Sequence, residues 1–402
     1  MLIDLARARL ETPGCKHVLH FNNAGAALMP TAVIAAVEAH LSLESRIGGY
    51  EAADAAAEQL DDAYKAVAEL LGSEIGQLAL FESATRAWQM AFYSLQLGPG
   101  DRILTAMSEY GSNYISMLQM AKSRGAVIDV IPNDDEGQVD VAALEAALDR
   151  RVKLIALTHV PSSGGVVNPA EAVGGVARRA GITFLLDASQ SAGQVPLDVN
   201  RLGCDFLVAT GRKFLRAPRG TAFLHVARDR IAAIEPVMLD AHGADWVARD
   251  RYELRGGATR FETFEFNVSA RIGLGAAVRY ALTWGIEAIE SYVGALAASL
   301  RTQLAAVPGV TVRDRGRLLC GIVTFTIERV GAQAVRARLH QQGINVWVST
   351  VSTARLDLEA RGVDELVRAS VHYYNSEAEV ERFVAAVAAL TSSWSPAVGV
   401  DP

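Results

Sequence analysis

Cysteine and lysine are both scarce in this 402-residue chain. The three cysteines, Cys15, Cys204 and Cys320, lie far apart, with no CxxC pair and no ligand-like Cys/His spacing. That speaks against a disulfide framework or a zinc site and for buried structural thiols in a reducing compartment; no metal is expected. Lysine occurs only as Lys16, Lys65, Lys122, Lys153 and Lys213, against 33 arginines, so a lysine in a special setting stands out. No apolar run reaches the roughly 18–20 residues of a membrane span. The first residues, MLIDLARARLETPG, show neither the apolar stretch nor the cleavage site of a secretory signal, so a cytoplasmic protein is expected. The net charge of −7 comes from interspersed acids and bases, without the basic face of a nucleic-acid binder. No GxGxxG opens a first strand–helix unit, which leaves a dinucleotide site unsupported.

Half of the residues are apolar, ample for a large core, and the length suggests a large and a small domain. Residues 1–29 read as an irregular arm with a turn at NNAG (22–25). Helices follow over 31–45 and 52–71, separated by RIGGYE. Short apolar runs then alternate with helical patterns. LALF (78–81), RILTA (102–106), AVIDVI (126–131), KLIALTHV (153–160) and ITFLLD (182–187) are each followed by a helical stretch. Such alternation predicts an α/β domain with a mostly parallel sheet. DFLVAT (205–210) and TAFLHV (221–226) have no helix between them and read as antiparallel neighbours. After about 267 come two helices (267–283, 286–305), then GIVTFTI, INVWV and LVRASV among further helices, a smaller α+β unit. The tail, 392–402, reads as frayed.

Asp187 ends the apolar strand ITFLLD. Ligands of open α/β sheets bind at the carboxyl ends of the strands, and a buried carboxylate there needs a cation. A protonated pyridine nitrogen would serve; a helix cap or an Asx turn would also explain the residue. Gln190 follows by three positions and could meet a ring oxygen. Another 23 residues on, DFLVAT runs into GRKFLRAPRG. Lys213 sits there in a Gly/Pro-rich turn, poorly placed for packing and well placed to form a Schiff base. Thr210 and Arg212 beside it could hold a phosphate. A strand-end lysine alone is usually a surface residue; its coupling to Asp187 and Gln190 gives it weight, because a lysine with an Asp partner for a pyridinium is a known pyridoxal 5′-phosphate (PLP) arrangement.

Other segments join this pattern. ESATRAWQMA (82–91) opens a helix with small residues, so Ala84 and Thr85 could offer backbone N–H groups to a phosphate. In SEYGSN (108–113), Tyr110 could stack on a ring or simply be half-buried. THVPSSGG (158–165) brings His159 and Ser162 to a similar place. Arg368 lies inside an apolar strand and needs an anion: a substrate carboxylate, or a structural acid.

Together these segments resemble the class V aminotransferase family of PLP fold type I, which includes cysteine desulfurases, isopenicillin-N-epimerase-like proteins and C–S lyases. The resemblance runs from FNNAGAA (21–27) to VRASVHYYN (367–375) and is most specific in LLDASQSAGQ and TGRKFLRAPRG. It implies a large domain (31–266) with a mostly parallel seven-stranded sheet, a small C-terminal α+β domain (267–402), and an arm (1–30) that contributes to the small domain and the active site. Lys213 would bind PLP covalently, with Lys213 and Tyr110 as catalytic residues. Asp187 would pair with the pyridinium, Gln190 with the phenolic oxygen, and Tyr110 would stack on the ring. Ala84, Thr85, Thr210, Arg212 and Ser162 complete the cofactor set. Asn23, Ala24, Tyr50, Arg368 and Glu265 would meet a small amino-acid substrate. Members are usually homodimers with sites at the interface, so RFETFEFN (260–267) would reach the partner's site.

Departures from the desulfurase pattern shape the functional expectation. Desulfurases carry a loop cysteine shortly before the carboxylate-binding arginine; the matching stretch here, 349–370, has none. Pro161-Ser162 replaces the usual Asn, and Glu265 stands where desulfurases have a phosphate-contacting Thr. RIGGYEAADAA (46–56) resembles the ergothioneine-pathway lyases that cleave hercynylcysteine sulfoxide. The resulting expectation is a C–S lyase acting by β-elimination on a cysteine conjugate, with a class V aminotransferase or an amino-acid epimerase as alternatives. Loop-cysteine desulfuration is disfavoured. A non-catalytic binding protein is opposed by the joint presence of Asp187, Gln190, Lys213 and Arg368.

Overall fold

The computed structural model describes residues 3–392, so the tail at 393–402 lies outside the described residues. The arm is more regular than expected. It holds a helix, Leu5–Leu10, capped by the Asp4 side chain, and a two-residue strand, β1 (Leu19–His20). Helices Thr31–Ile47, Gly49–Ala55 and Ala57–Leu71 follow. Gly48 ends the first at φ +99, a conformation open to glycine. The second expected helix is interrupted at Ala56, which caps one helix and opens the next.

The central sheet contains β2 (Leu78–Phe81), β3 (Arg102–Ala106), β4 (Val127–Ile131), β5 (Val152–Thr158), β6 (Thr183–Asp187), β7 (Phe206–Thr210) and β8 (Ala222–Val226). Its order is β2-β8-β7-β6-β5-β3-β4. All pairings are parallel except those of β8, which runs antiparallel to β7 and β2. Strands β6 and β7 are buried at every position, as expected where helices cover both faces of a parallel sheet. Their apolar runs therefore show no alternation, and their polar ends, Asp187 and Thr210, fall together at one edge of the layer.

A single glycine brings the two turns beyond β6 and β7 together. Gly193 has φ +93, and a Cβ there would come within 2.5 Å of the Phe214 carbonyl oxygen. Any other residue would force the Asp187–Gln190 turn away from the Lys213 turn.

A hairpin of β9 (Ala244–Ala248) and β10 (Arg251–Leu254) follows the central sheet. The last region forms a four-stranded antiparallel sheet. Its members are β11 (Val310–Val312), β12 (Ile322–Ile327), β14 (Trp347–Thr350) and β15 (Glu365–Ser370), in the order β11-β12-β15-β14. The short β13 (Ile344–Asn345) leaves that sheet and pairs in parallel with β1. The arm is thus tied to the C-terminal region, and Ser370 N donates to Phe21 O at 2.7 Å. Among the described residues no helix is long and apolar enough to cross a membrane.

Candidate active site

A cleft of about 320 Å³ opens at the carboxyl ends of β5, β6 and β7, where ligands of such sheets bind. Ala84, Thr85, Tyr110, Ser162, Asp187, Gln190, Thr210, Arg212 and Lys213 all line it. They come from separate elements. Ala84 and Thr85 begin the helix Ala84–Tyr93, whose cap is the Ser83 hydroxyl. Tyr110 caps the helix Gly111–Arg124. Arg219 and Asn113, not singled out from the sequence, line the cleft as well.

Lys213 is buried among cations. Burial, with Arg212 nearby, lowers its amine to about 7, against the pull of Asp187. A substantial fraction is therefore a free base at neutral pH, which a carbonyl-trapping nucleophile requires. Arg368, on β15, is also buried. Its guanidinium donates to Ser162 O at 2.9 Å and to Asn22 Oδ1 at 3.3 Å, both neutral acceptors. Burial and the charge of Arg212 lower it to about 10. Arg368 Nε, Gln190 Oε1 and Ser189 Oγ are buried without a partner. Leaving such groups unpaired costs about 1–3 kcal/mol each, so the cleft suits an anionic ligand with further polar atoms.

The opposite wall carries carboxyl groups. Asp187 Oδ1 accepts from Ser189 N at 2.9 Å, and Oδ2 accepts from Asn113 Nδ2 at 2.9 Å. The same amide nitrogen donates to Glu109 Oε1 at 2.9 Å. Glu109 is buried, and burial raises its carboxyl, with the charge of Asp187 acting in the same direction. Neither acid has a salt-bridge partner within 4 Å among the described residues. His159 lies behind this wall, bonded to Ser191 Oγ at 2.8 Å, and burial lowers it to about 4.

The remaining candidates lie elsewhere in the single chain. Asn23 is buried and occupied, donating to Ser370 O at 2.7 Å and accepting from the Tyr374 hydroxyl. Ala24 offers its carbonyl to Gln190 Nε2 at 3.1 Å and so orients a cleft residue from behind. Tyr50 and Glu265 line a separate surface cavity with Leu41, His242 and Phe264. The loop at 351–354 rests on the helix that begins beside Tyr110, where Gly111 N donates to Thr353 O at 3.3 Å.

The family model for aminotransferase class-V matches residues 19–383. A probable cysteine desulfurase of Xylella fastidiosa (strain 9a5c) is 32% identical over 385 residues, 92% of this chain and 90% of that protein. A probable cysteine desulfurase of Pyrococcus abyssi is 28% identical and covers 96% of this chain and 97% of its own length. Among solved structures, the apo cysteine desulfurase of Thermococcus onnurineus NA1 superimposes with a TM-score of 0.90 at 27% identity, covering 98% and 99% of the two chains.

These relatives overturn the functional expectation drawn from the sequence, both the cysteine-conjugate C–S lyase with its aminotransferase and epimerase alternatives and the disfavouring of desulfuration. That expectation gave a few local departures, above all the missing cysteine in 349–370, more weight than the rest of the chain, and the likeness to desulfurases runs through the whole length. The fold is that of PLP fold type I, as expected. By its match across residues 19–383, this chain belongs to the aminotransferase class-V family of PLP-dependent enzymes.

Proposed function

We propose that this protein is a cysteine desulfurase that holds PLP in the cleft around Lys213 and draws sulfur from L-cysteine. The observation that carries the reading is the pairing, in one cleft, of a buried amine lowered to about 7 with a buried carboxylate that lacks a cation. PLP, when bound, supplies an electron sink for bond cleavage at an amino acid's Cα and Cβ.

The chain's own groups divide the work. Lys213 would hold the cofactor and, with its amine free, would be the base for the Cα proton. Asp187 would keep the ring nitrogen protonated, and the unpaired Ser189 hydroxyl and Gln190 Oε1, the latter an acceptor, would meet polar groups of the cofactor. Tyr110 covers the ring. Ala84, Thr85, Thr210, Arg212 and Ser162 take the phosphate end, through helix N-terminal amides, hydroxyls and a guanidinium. Arg368, bonded only to neutral acceptors, takes the substrate carboxylate.

The chain offers no cysteine in its 349–370 loop, Cys204 and Cys320 are buried with raised thiols, and Cys15, half-buried with a raised thiol, does not line the cleft. Sulfur therefore passes to a thiol from solution: the Cβ–S bond breaks, an S–S bond forms on the acceptor, and Cβ gains a proton to give alanine. The three free thiols suit a reducing, cytoplasmic setting. We further propose a homodimer in which exposed Leu41, Ile47, Tyr50 and Phe264 are covered, bringing Tyr50, Glu265 and the 260–267 segment toward the partner's cleft. The division into an arm (1–30), a large domain (31–266) and a small domain (267–402) belongs to the same reading. Incubation of the PLP-loaded protein with L-cysteine and dithiothreitol is expected to yield alanine and sulfide in equal amounts. Pyruvate and ammonia in place of alanine would overturn the assignment.

A further inference from the structure

Glu109 lies just before the cap of the helix Gly111–Arg124 and Asn113 in its first turn, and their shared hydrogen bond has a third member at the end of β6, Asp187. Asn113 Nδ2 carries two hydrogens and spends both on carboxyl oxygens, one on Glu109 Oε1 and one on Asp187 Oδ2. Glu109 Oε1 also accepts from the Thr158 hydroxyl at 2.5 Å and from Tyr110 N at 2.9 Å. Its other oxygen faces only the Thr105 hydroxyl, at 2.9 Å. The titratable groups on the surrounding elements are Asp187 at the end of β6, His159 beyond β5, Tyr110 next in sequence and Lys213 across the cleft.

Two buried carboxyl groups bridged by one amide cannot both carry charge cheaply. The two are equally buried, but Asp187 lines the cleft and Glu109 does not. The proton therefore belongs to Glu109. Oε1 already has three donors, so the proton sits on Oε2, where the Thr105 hydroxyl can rotate to accept it.

We propose that Glu109 is held as a neutral carboxylic acid and acts through Asn113 as a positioning residue, keeping the negative charge on Asp187 and aiming it into the cleft. A glutamate ionised at this point would compete with Asp187 for the amide and repel its charge. The proposal rests on the PLP reading only for what Asp187 then meets; the protonation state is a property of the cofactor-free protein, so the two can fail separately.

Infrared difference spectra between wild type and Glu109→Gln test this on cofactor-free protein at neutral pH. The expected result is the carbonyl band of a protonated carboxylic acid in the wild type that the variant lacks. Loss of carboxylate bands alone would overturn the proposal. Thr105→Val leaves Glu109 in place and should shift the same band; a band that does not move overturns the placement of the proton.

Thermal melting of the same cofactor-free proteins gives an independent sign. A raised carboxyl contributes stability that is present below its unfolded value, about 4.3, and lost as pH rises through the folded one. The melting temperature of Glu109→Gln should therefore gain on that of the wild type as pH rises from about 4.3. A gap moving the other way overturns the proposal. In the loaded enzyme, Glu109→Gln should preserve the cofactor absorbance and its pH profile, because the amide can accept on one side and donate to Thr105 on the other. Glu109→Ala and Asn113→Leu should shift that profile and weaken cofactor retention about 10-fold, as expected for one lost hydrogen bond to a charged group. A Gln variant as impaired as the Ala variant would show that Glu109 acts by its charge, against the proposal.

Discussion

Glu262 and Asp187 are both buried carboxylates, and the chain surrounds them by opposite means. Glu262 meets Arg271 at 2.7 Å and accepts from the Tyr64 hydroxyl at 2.7 Å and from Leu80 N at 2.8 Å. Arg271 in turn donates to Leu80 O at 3.1 Å and lies 3.5 Å from the Phe266 ring centre. Every charge there is answered within the fold, and the cluster fixes the segment that leads into RFETFEFN. Asp187 receives only an amide and a backbone N–H. A charge compensated internally serves stability. A charge left uncompensated in a cleft is set aside for a ligand that brings its own cation, and the protein without that ligand bears the cost.

The contrast can be broken by substitution. The largest effect is expected for Lys213→Ala, whose turnover should fall roughly 10²–10⁴-fold from loss of the base alone, measured as alanine production. Its cofactor-free form should remain folded by circular dichroism, since no structural partner is lost; an unfolded apo variant would place Lys213 with the stabilising kind of residue. Arg271→Met should lower unfolding free energy by about 3–5 kcal/mol, the cost of stranding a buried carboxylate, as read by denaturant titration. Cofactor bound per folded molecule should not change, and loss of cofactor without loss of stability would invert the comparison.

Arg368→Met should raise KM for L-cysteine roughly 10–10²-fold, the equivalent of a charge-assisted hydrogen bond, while the cofactor absorbance stays as in the wild type. A last contrast is a pH trend. A lysine lowered to about 7 from an ordinary value near 10.4 contributes stability that is present above about 10.4 and lost as pH falls through about 7. Cofactor-free Lys213→Met should therefore gain on the wild type in melting temperature as pH falls across that window. A flat difference would mean that the amine is not lowered.

Much of the sheet was legible because its strands are short apolar runs closed by polar residues. LALF and RILTA have the same limits in the sequence reading and in the fold. The hairpin of β9 and β10 was not legible. Its residues are almost all exposed, Trp246 at 81%, so no apolar face marks a period. INVWV read as one strand, but Val346 separates two strands in different sheets, a choice made by the arm rather than by local pattern. At the site, Lys213, Asp187 and Gln190 stood out because each closes or follows an apolar strand. Glu109 and Asn113 did not, although they lie in SEYGSN: an acid just before a helix and an amide in its first turn are ordinary surface chemistry until a second carboxylate arrives from 74 positions further along.

The tie between the arm and the last sheet also sets a schedule. Asn22 and Arg368, which share a hydrogen bond, are 346 positions apart, while the turns that line the cleft around Lys213 are all made by residue 220. At about 5–20 residues per second of synthesis, the arm waits roughly 20–70 s for its partner strand. A nascent chain thus completes β6, β7 and the turn that bears Lys213 well before Arg368 exists, and the arm must spend that interval without the hydrogen bonds that later hold it.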